Sequence, residues 1–274
     1  MPTDLATLLP LAAALLAAGL AAGLIAGLLG VGGGIVVVPV LFHVFAGFGH
    51  DPGVAMLMAV GTSLGAMVPT SLASARSHRR RGAVDMALVR RWAPAVVAGV
   101  VAGTLIAGSV RGQVLTLVFG VVTLLVALNL AVRGEGRPIW PRLPGGFGLQ
   151  AIGFVIGTLS SLMGIGGGML SVPVMSSCSY PIRRAVATAA ATGVLIALPG
   201  AIGFALAGLD QPGRPPLSIG YINGVGFLLI APATVLAAPW GARLAHSINP
   251  RWLRWSFVVF LVATGARMLW RALA

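Results

Sequence analysis

From Leu5 to Leu29 the chain carries no charged residue, and the stretches Val54 to Ser74 and Val114 to Val132 repeat that property. About 20 apolar residues in a helix cross roughly 30 Å of hydrocarbon, so each run is long enough to span a bilayer. Burying all of them in water would need a larger interior than 274 residues supply, since 58% of the chain is hydrophobic and only 8% charged. The expected class is an all-α polytopic membrane protein, because helices satisfy their own backbone groups where no water is present.

The first run lacks the basic segment that opens a secretion signal, the first arginine being Arg76, and is expected to remain as a transmembrane helix. Cys178 is the single cysteine and has no partner within the chain for a disulfide, so it says nothing about redox compartment. The net charge of +13 comes with 18 basic residues, all arginine. Membrane topology accounts for such an excess, and no nucleic acid is expected as partner.

Ten apolar segments divide five and five about a polar linker. Their spans are 5–29, 35–49, 54–74, 92–109 and 114–132, then 147–163, 169–179, 185–207, 219–242 and 255–271. Residues 1–132 and 147–274 are thus read as two repeats joined by a cytoplasmic linker, 133–146. Gly30-Val-Gly-Gly-Gly34 with Pro39 returns as Gly164-Ile-Gly-Gly-Gly168 with Pro173. Ala55, Ala59, Thr62 and Pro69 match Ala185, Ala189, Thr192 and Pro199. Gly82-Ala-Val-Asp85, Pro94, Gly103 and Phe119 match Gly220-Tyr-Ile-Asn223, Pro232, Gly241 and Phe257. Correspondence of this kind along both halves identifies one unit used twice.

Arginine placement indicates how the units are related. With every segment crossing, one side receives fourteen arginines, including Arg76, Arg79, Arg80, Arg81, Arg90, Arg91, Arg183 and Arg184; the other receives Arg111, Arg214, Arg267 and Arg271. The richer side is expected to be cytoplasmic, which puts both termini outside. Matched loops carry opposite bias, as the arginine-rich 75–91 loop and its sparse partner 208–218 illustrate. Five crossings per unit invert the second relative to the first and explain that opposition. Were the two short segments re-entrant, the repeats would be parallel and the bias unexplained.

Glycine costs about 1 kcal/mol and proline about 3 kcal/mol in a helix interior relative to alanine. The two glycine clusters are therefore expected to break helices within the membrane, with Pro39 and Pro173 marking the break. Irregular backbone at that depth survives only when packed in protein or lining a wet cavity. A half-helix beginning there offers free N–H groups and a partial positive charge to an anion. Gly32, Gly33, Gly34, Gly166, Gly167 and Gly168 are the expected anion-binding backbone. Thr62, Ser63, Ser171 and Thr192 are candidate hydroxyl contacts, as are Ser160 and Ser161 nearby, and His43 is the ionisable side chain placed deepest. The competing reading is that the glycines only let helices pack closely.

No cluster of His, Cys and carboxylates has metal-ligand spacing, and no nucleophile stands with a base and an orienting acid. Asp4, Asp51, Asp85, Glu135 and Asp210 all fall in loops or ends. No enzyme, catalytic residue, metal or cofactor is expected.

The paired Gly-x-Gly-Gly-Gly clusters with downstream proline, Ala-x-x-x-Ala-Val-Gly-Thr-Ser at 55–63 and Gly-Tyr-Ile-Asn at 220–223 resemble the sulfite exporter TauE/SafE family of membrane permeases. The second half departs from that pattern at Ala191-Thr192-Gly193. The resemblance implies transport of small sulfur-containing anions, such as sulfite or organosulfonates, across the bacterial inner membrane. The expected partners are that anion and membrane lipid. An anion channel and a non-transporting membrane scaffold are the alternatives.

Overall fold

The computed structural model describes residues 5–29, 33–133, 140, 142–211, 215, 217–244 and 250–273. Those residues form ten helices and one short hairpin. The first half contains α1 (Leu5–Leu29), α2 (Gly34–Gly47), α3 (Pro52–Arg80), α4 (Met86–Ser109) and α5 (Gly112–Arg133). The second contains α6 (Gly146–Met163), α7 (Gly168–Ser177), α8 (Ile182–Ala207), the strands β1 (Ser218–Ile219) and β2 (Ile222–Asn223), α9 (Gly224–Leu244) and α10 (Pro250–Leu273). Among the described residues, α3, α4, α5, α6, α8 and α9 each hold a stretch long and apolar enough to cross a bilayer. The chain is a multi-pass, all-helical membrane protein.

Local chemistry explains several boundaries. Asp51 precedes α3, and its carboxylate accepts from the N–H groups of Gly53 at 2.8 Å and Val54 at 3.2 Å while Pro52 takes the first helical position. The same helix ends on His78, Arg79 and Arg80, whose charge suits its exposed carbonyls. The ninth segment begins later than position 219. Ser218–Ile219 pairs antiparallel with Ile222–Asn223 across Gly220, which is held at φ 57°, so α9 starts only at Gly224. A left-handed residue between two β-branched isoleucines favours a turn over a helix start.

Pro39 and Pro173 follow the glycine clusters and end no helix. Each lies at the sixth position of its helix, and α2 and α7 run on to Gly47 and Ser177. A proline there removes a single bond, to the carbonyl of Ile35 or Met169, which a helix already anchored by its neighbours tolerates.

Packing crosses between the halves. α3 and α8 form the centre and run antiparallel, Leu64 lying against Gly200 and Ser71 against Gly193. α5 and α10 are also antiparallel, with Gly120 against Leu269 and Leu124 against Gly265. α1 instead runs parallel to α9, where Gly19 meets Ala233 and Gly23 meets Ala237. α4 runs parallel to α6, where Gly99 meets the Phe154 carbonyl and Gly103 that of Thr158. In α1 and α4 glycines spaced by four let the paired backbones approach closely, the usual substitute for hydrophobic driving force in lipid. The periphery is apolar and open: Leu105, Leu128, Leu228 and Leu236 are each at least 60% exposed, as lipid-facing side chains are.

Candidate functional site

The two glycine clusters meet. Gly33 has φ 75° and precedes α2, its carbonyl accepting from the N–H groups of Val36 and Val37. A Cβ at Gly33 would stand 2.9 Å from the Ala22 carbonyl oxygen, so α2 starts beside the middle of α1. That is about 10 Å back from the end of α1 at Leu29. A Cβ at Gly34 would overlap the Gly164 carbonyl and stand 2.9 Å from the Ile165 Cα and 3.1 Å from Ser63 Oγ. Gly164 follows α6 with φ 65°, and its own Cβ would stand 2.9 Å from the Val60 Cα. Gly32 lies outside the described residues.

Hydroxyl groups seal this junction. Ser63 Oγ donates to the Gly164 carbonyl at 2.7 Å, tying α3 to the turn between α6 and α7. Thr62 Oγ1, one residue earlier, accepts from the N–H of Asn223 at 2.9 Å. Thr192 Oγ1 donates back to the Thr188 carbonyl at 3.0 Å, and its methyl packs on Gly167. Thr62, Ser63 and Thr192 are therefore already engaged within the protein. Ser161 also bonds its own helix, at the Thr158 carbonyl.

Ser160 and Ser171 differ from these. Both are 0% exposed, and neither hydroxyl has a hydrogen-bond partner. They flank the second turn and are fastened to it, since the Ile165 N–H donates to the Ser160 carbonyl at 3.1 Å and the Ser171 N–H to the Gly167 carbonyl at 2.7 Å. An unpaired buried hydroxyl costs about 1–3 kcal/mol, and two of them flank this one turn. The sequence named both among several hydroxyls near the second glycine cluster, without a signal to separate them from Ser161, Thr62, Ser63 or Thr192.

Beside this turn is a small cavity of about 20 Å³, lined by Gly166, Gly167 and Gly168 together with Thr70, Ser71 and Ser74 of α3 and Ala189, Ala190 and Gly193 of α8. It holds about one water. Past Ser74, the end of α3 carries a second depression of about 290 Å³ lined by Arg76, Arg80 and Arg81.

His43 stands apart from the junction. Its Nδ1–H donates to the Pro39 carbonyl at 2.7 Å, and it lines a groove between α2 and α10 with Arg267 and Thr264. Pro39 lines it too, but none of the candidate anion contacts at the glycine turns or on α3 and α8 does.

Asp85, read from the sequence as a loop acid matched to Asn223, joins the two halves. It caps α4 by accepting from the Leu88 N–H at 3.0 Å, and its own N–H donates to Thr188 Oγ1 on α8 at 3.1 Å. Tyr180 donates its phenol proton to Asp85 at 2.6 Å, and Arg184 lies 3.8 Å away. The Tyr180 bond, helped by the Leu88 N–H and by Arg184, holds the Asp85 carboxyl below its ordinary range. Burial, reinforced by the bond to Asp85, pushes the Tyr180 phenol up to about 12.

The helices, their lipid-facing leucines and the buried junction describe an integral membrane protein; the class, membrane transporters, comes from its relatives. The chain belongs to the sulfite exporter TauE/SafE family, whose model matches residues 15–268. It is 28% identical over 239 residues to a probable membrane transporter protein of Haemophilus influenzae, covering 87% of this chain and 90% of that one. A probable membrane transporter protein of Methanocaldococcus jannaschii is 28% identical over 253 residues, 88% of each chain. The probable membrane transporter protein YunE of Bacillus subtilis is 25% identical over 264 residues, 89% of this chain and 92% of the relative. No solved structure is a significant match.

Proposed function

We propose that this chain is a secondary transporter or facilitator for small sulfur-containing anions such as sulfite or organosulfonates, working in the bacterial cytoplasmic membrane. The anion binds where Gly33 and Gly34 meet the turn at 164–168. The observation that carries this reading is the pair of buried, unpartnered hydroxyls of Ser160 and Ser171 on the second turn. Each donates one proton, and the first-turn N–H groups of α2 and α7 add donors and a partial positive charge. An oxyanion is the ligand that accepts from all of them.

The halves, 1–132 and 147–274, are inverted about this junction, with both termini outside. What supports the inversion is that matched helices pack antiparallel, α3 with α8 and α5 with α10. Parallel repeats would leave each such pair running the same way. The exchange of neighbours fits too, since α1 packs on α9 as α6 packs on α4. Helices α2 and α7 rise only about 21 and 15 Å, so each reaches a membrane face from an interior break.

A sulfite ion does not fit a cavity of about 20 Å³, so loading requires the junction to part. Rocking of one portion against another about a fixed central site is the mechanism that repeat symmetry of this kind provides. Arg76, Arg80 and Arg81 raise the local anion concentration at the cytoplasmic mouth.

Proteoliposome flux tests the reading. Sulfite or a short alkylsulfonate is expected to move saturably and to show trans-stimulation, and the Ser160→Ala/Ser171→Ala double variant is expected to lose at least tenfold in flux while keeping its fold. Flux linear in concentration without trans-stimulation identifies a channel instead. Wild-type flux in the double variant removes the site, and absence of flux for any sulfur anion removes the substrate class.

A further inference from the structure

The groove between α2 and α10 has a volume of about 460 Å³ and is graded in polarity. His43 and Arg267 stand at one end, with Thr264 beside them, while Val36 and Phe260 line the other. Seven residues separate Val36 from His43 and Phe260 from Arg267, so the apolar end lies about 10 Å from the charged one along both helices. The charged end is at the bilayer interface: Trp270, one turn beyond Arg267, is 75% exposed, as interfacial tryptophans are.

Two polar groups there are unanswered within the protein. Arg267 is exposed and has no acidic partner among the described residues. Donation from Nδ1 to the Pro39 carbonyl leaves His43 Nε2 buried with nothing to pair with. A guanidinium in the headgroup zone pairs best with a phosphate, which it grips with two parallel hydrogen bonds. The neutral imidazole nitrogen beside it accepts from a hydroxyl. Neither a free inorganic anion nor a neutral lipid matches the whole groove, because the first leaves the apolar end bare and the second leaves Arg267 unneutralised.

We propose that this groove is a binding site for an anionic phospholipid, with the phosphate on Arg267, a headgroup hydroxyl on His43 Nε2, and an acyl chain along Val40, Val36 and Phe260. The site is separate from the glycine junction and does not rest on the transport reading.

Titrating dioleoyl phosphatidylglycerol into the purified full chain in detergent, followed by thermal shift and native mass spectrometry, tests it. Saturable stabilisation is expected at a concentration at least tenfold below that needed for phosphatidylcholine. Arg267→Gln is expected to raise the half-saturating concentration at least tenfold, and Val40→Trp, which fills the groove and keeps the charge, to do the same. Arg271→Gln lies outside the groove and is expected to change it little. Equal response to both lipids, or wild-type affinity in both groove variants, overturns the proposal. Displacement by millimolar inorganic phosphate overturns the lipid assignment in favour of a free anion. A wild-type dimer that Val40→Trp dissociates without lipid dependence shows a second copy there instead. Should Arg267→Gln fail to fold, Val40→Trp decides alone.

Discussion

The backbone N–H of Asn223 donates to the Thr62 hydroxyl at 2.9 Å, and the matched residue Asp85 donates its own N–H to the Thr188 hydroxyl at 3.1 Å. Each residue also caps the helix that follows, Asn223 through Gly226 at 2.8 Å and Asp85 through Leu88 at 3.0 Å. Each therefore starts a helix of its own half and fastens it to the central helix of the other. Because α3 and α8 run antiparallel, the two fastenings lie toward opposite ends of the pair. They differ in charge: Asn223 is neutral and bonds Ser218, whereas Asp85 holds Tyr180 and Arg184.

Removing either cap lowers stability by about 1 kcal/mol, the usual cost of losing an Asn or Asp at a helix start. Asn223→Ala and Asp85→Ala are expected to lower the melting temperature in detergent by a few degrees each, and together by the sum, since they serve separate helices. A thermal melt of the three variants checks this. A double variant no worse than one single variant contradicts independent fastenings.

The Asp85 cluster makes stability depend on pH in a stated direction. The carboxyl lies below its ordinary 3.8 in the folded chain, so its contribution is complete above that value and is lost as pH falls through the folded value. Tyr180 is raised from 10.0 to about 12, so its contribution is complete below pH 10 and is lost as pH rises through about 12. Between those limits the cluster is intact. Melting followed from pH 6 to pH 3 is expected to fall more steeply in wild type than in Asp85→Asn, and matching slopes contradict this assignment.

Glycine replacements separate crowded positions from open ones. Gly34→Ala drives a methyl into the Gly164 carbonyl, and Gly164→Ala adds a left-handed alanine against Val60. Overpacking costs about 1–3 kcal/mol, and an alanine at positive φ adds to it. Gly47 and Gly145 face open space, and alanine there is expected to leave the melt unchanged. The comparison of four melts is the check.

Serine replacements at the junction are expected to divide by partner. Ser63→Ala breaks its bond to Gly164 and lowers stability by about 1 kcal/mol. Ser171→Ala removes a hydroxyl that has no partner and costs little in the absence of anion, but is expected to abolish stabilisation by sulfite. Thermal shift with and without sulfite distinguishes the two, and sulfite stabilisation surviving in Ser171→Ala contradicts the role given to that hydroxyl.

Much of the fold was legible because apolar run length and glycine placement are local properties. The expected segments 5–29, 147–163 and 185–207 became Leu5–Leu29, Gly146–Met163 and Ile182–Ala207. α3 ran past its expected end because Ser77 to Arg80 are polar yet still helical, and hydropathy alone stops at the polar edge. The hairpin at 218–223 was missed for the opposite reason, since isoleucines and glycine read as apolar membrane sequence until their backbone turns. The junction was partly legible. Repetition singled out the glycines, but which hydroxyl would be spoken for depended on contacts between distant positions: Ser63 with Gly164, Thr62 with Asn223. Those pairings leave Ser160 and Ser171 as the free ones, and no local signal carries that. His43 was grouped with the junction because it is polar in an apolar stretch, whereas the direction of α2 carries it to a different face.

The approach of Gly34 to the Gly164 carbonyl is backbone against backbone. A contact between side chains can loosen by degrees as rotamers shift, but this one has no rotamers to shift. A gap of 0.5–1 Å forfeits roughly a quarter to a half of the dispersion attraction and admits no water, so partial separation has nothing to stabilise it. If the halves part as proposed, the seam is expected to act as a detent: closed, or parted widely enough to be wetted. Spectroscopic labels on α2 and α6 are expected to report two distances, with the ratio of their populations, and not the distances themselves, responding to anion.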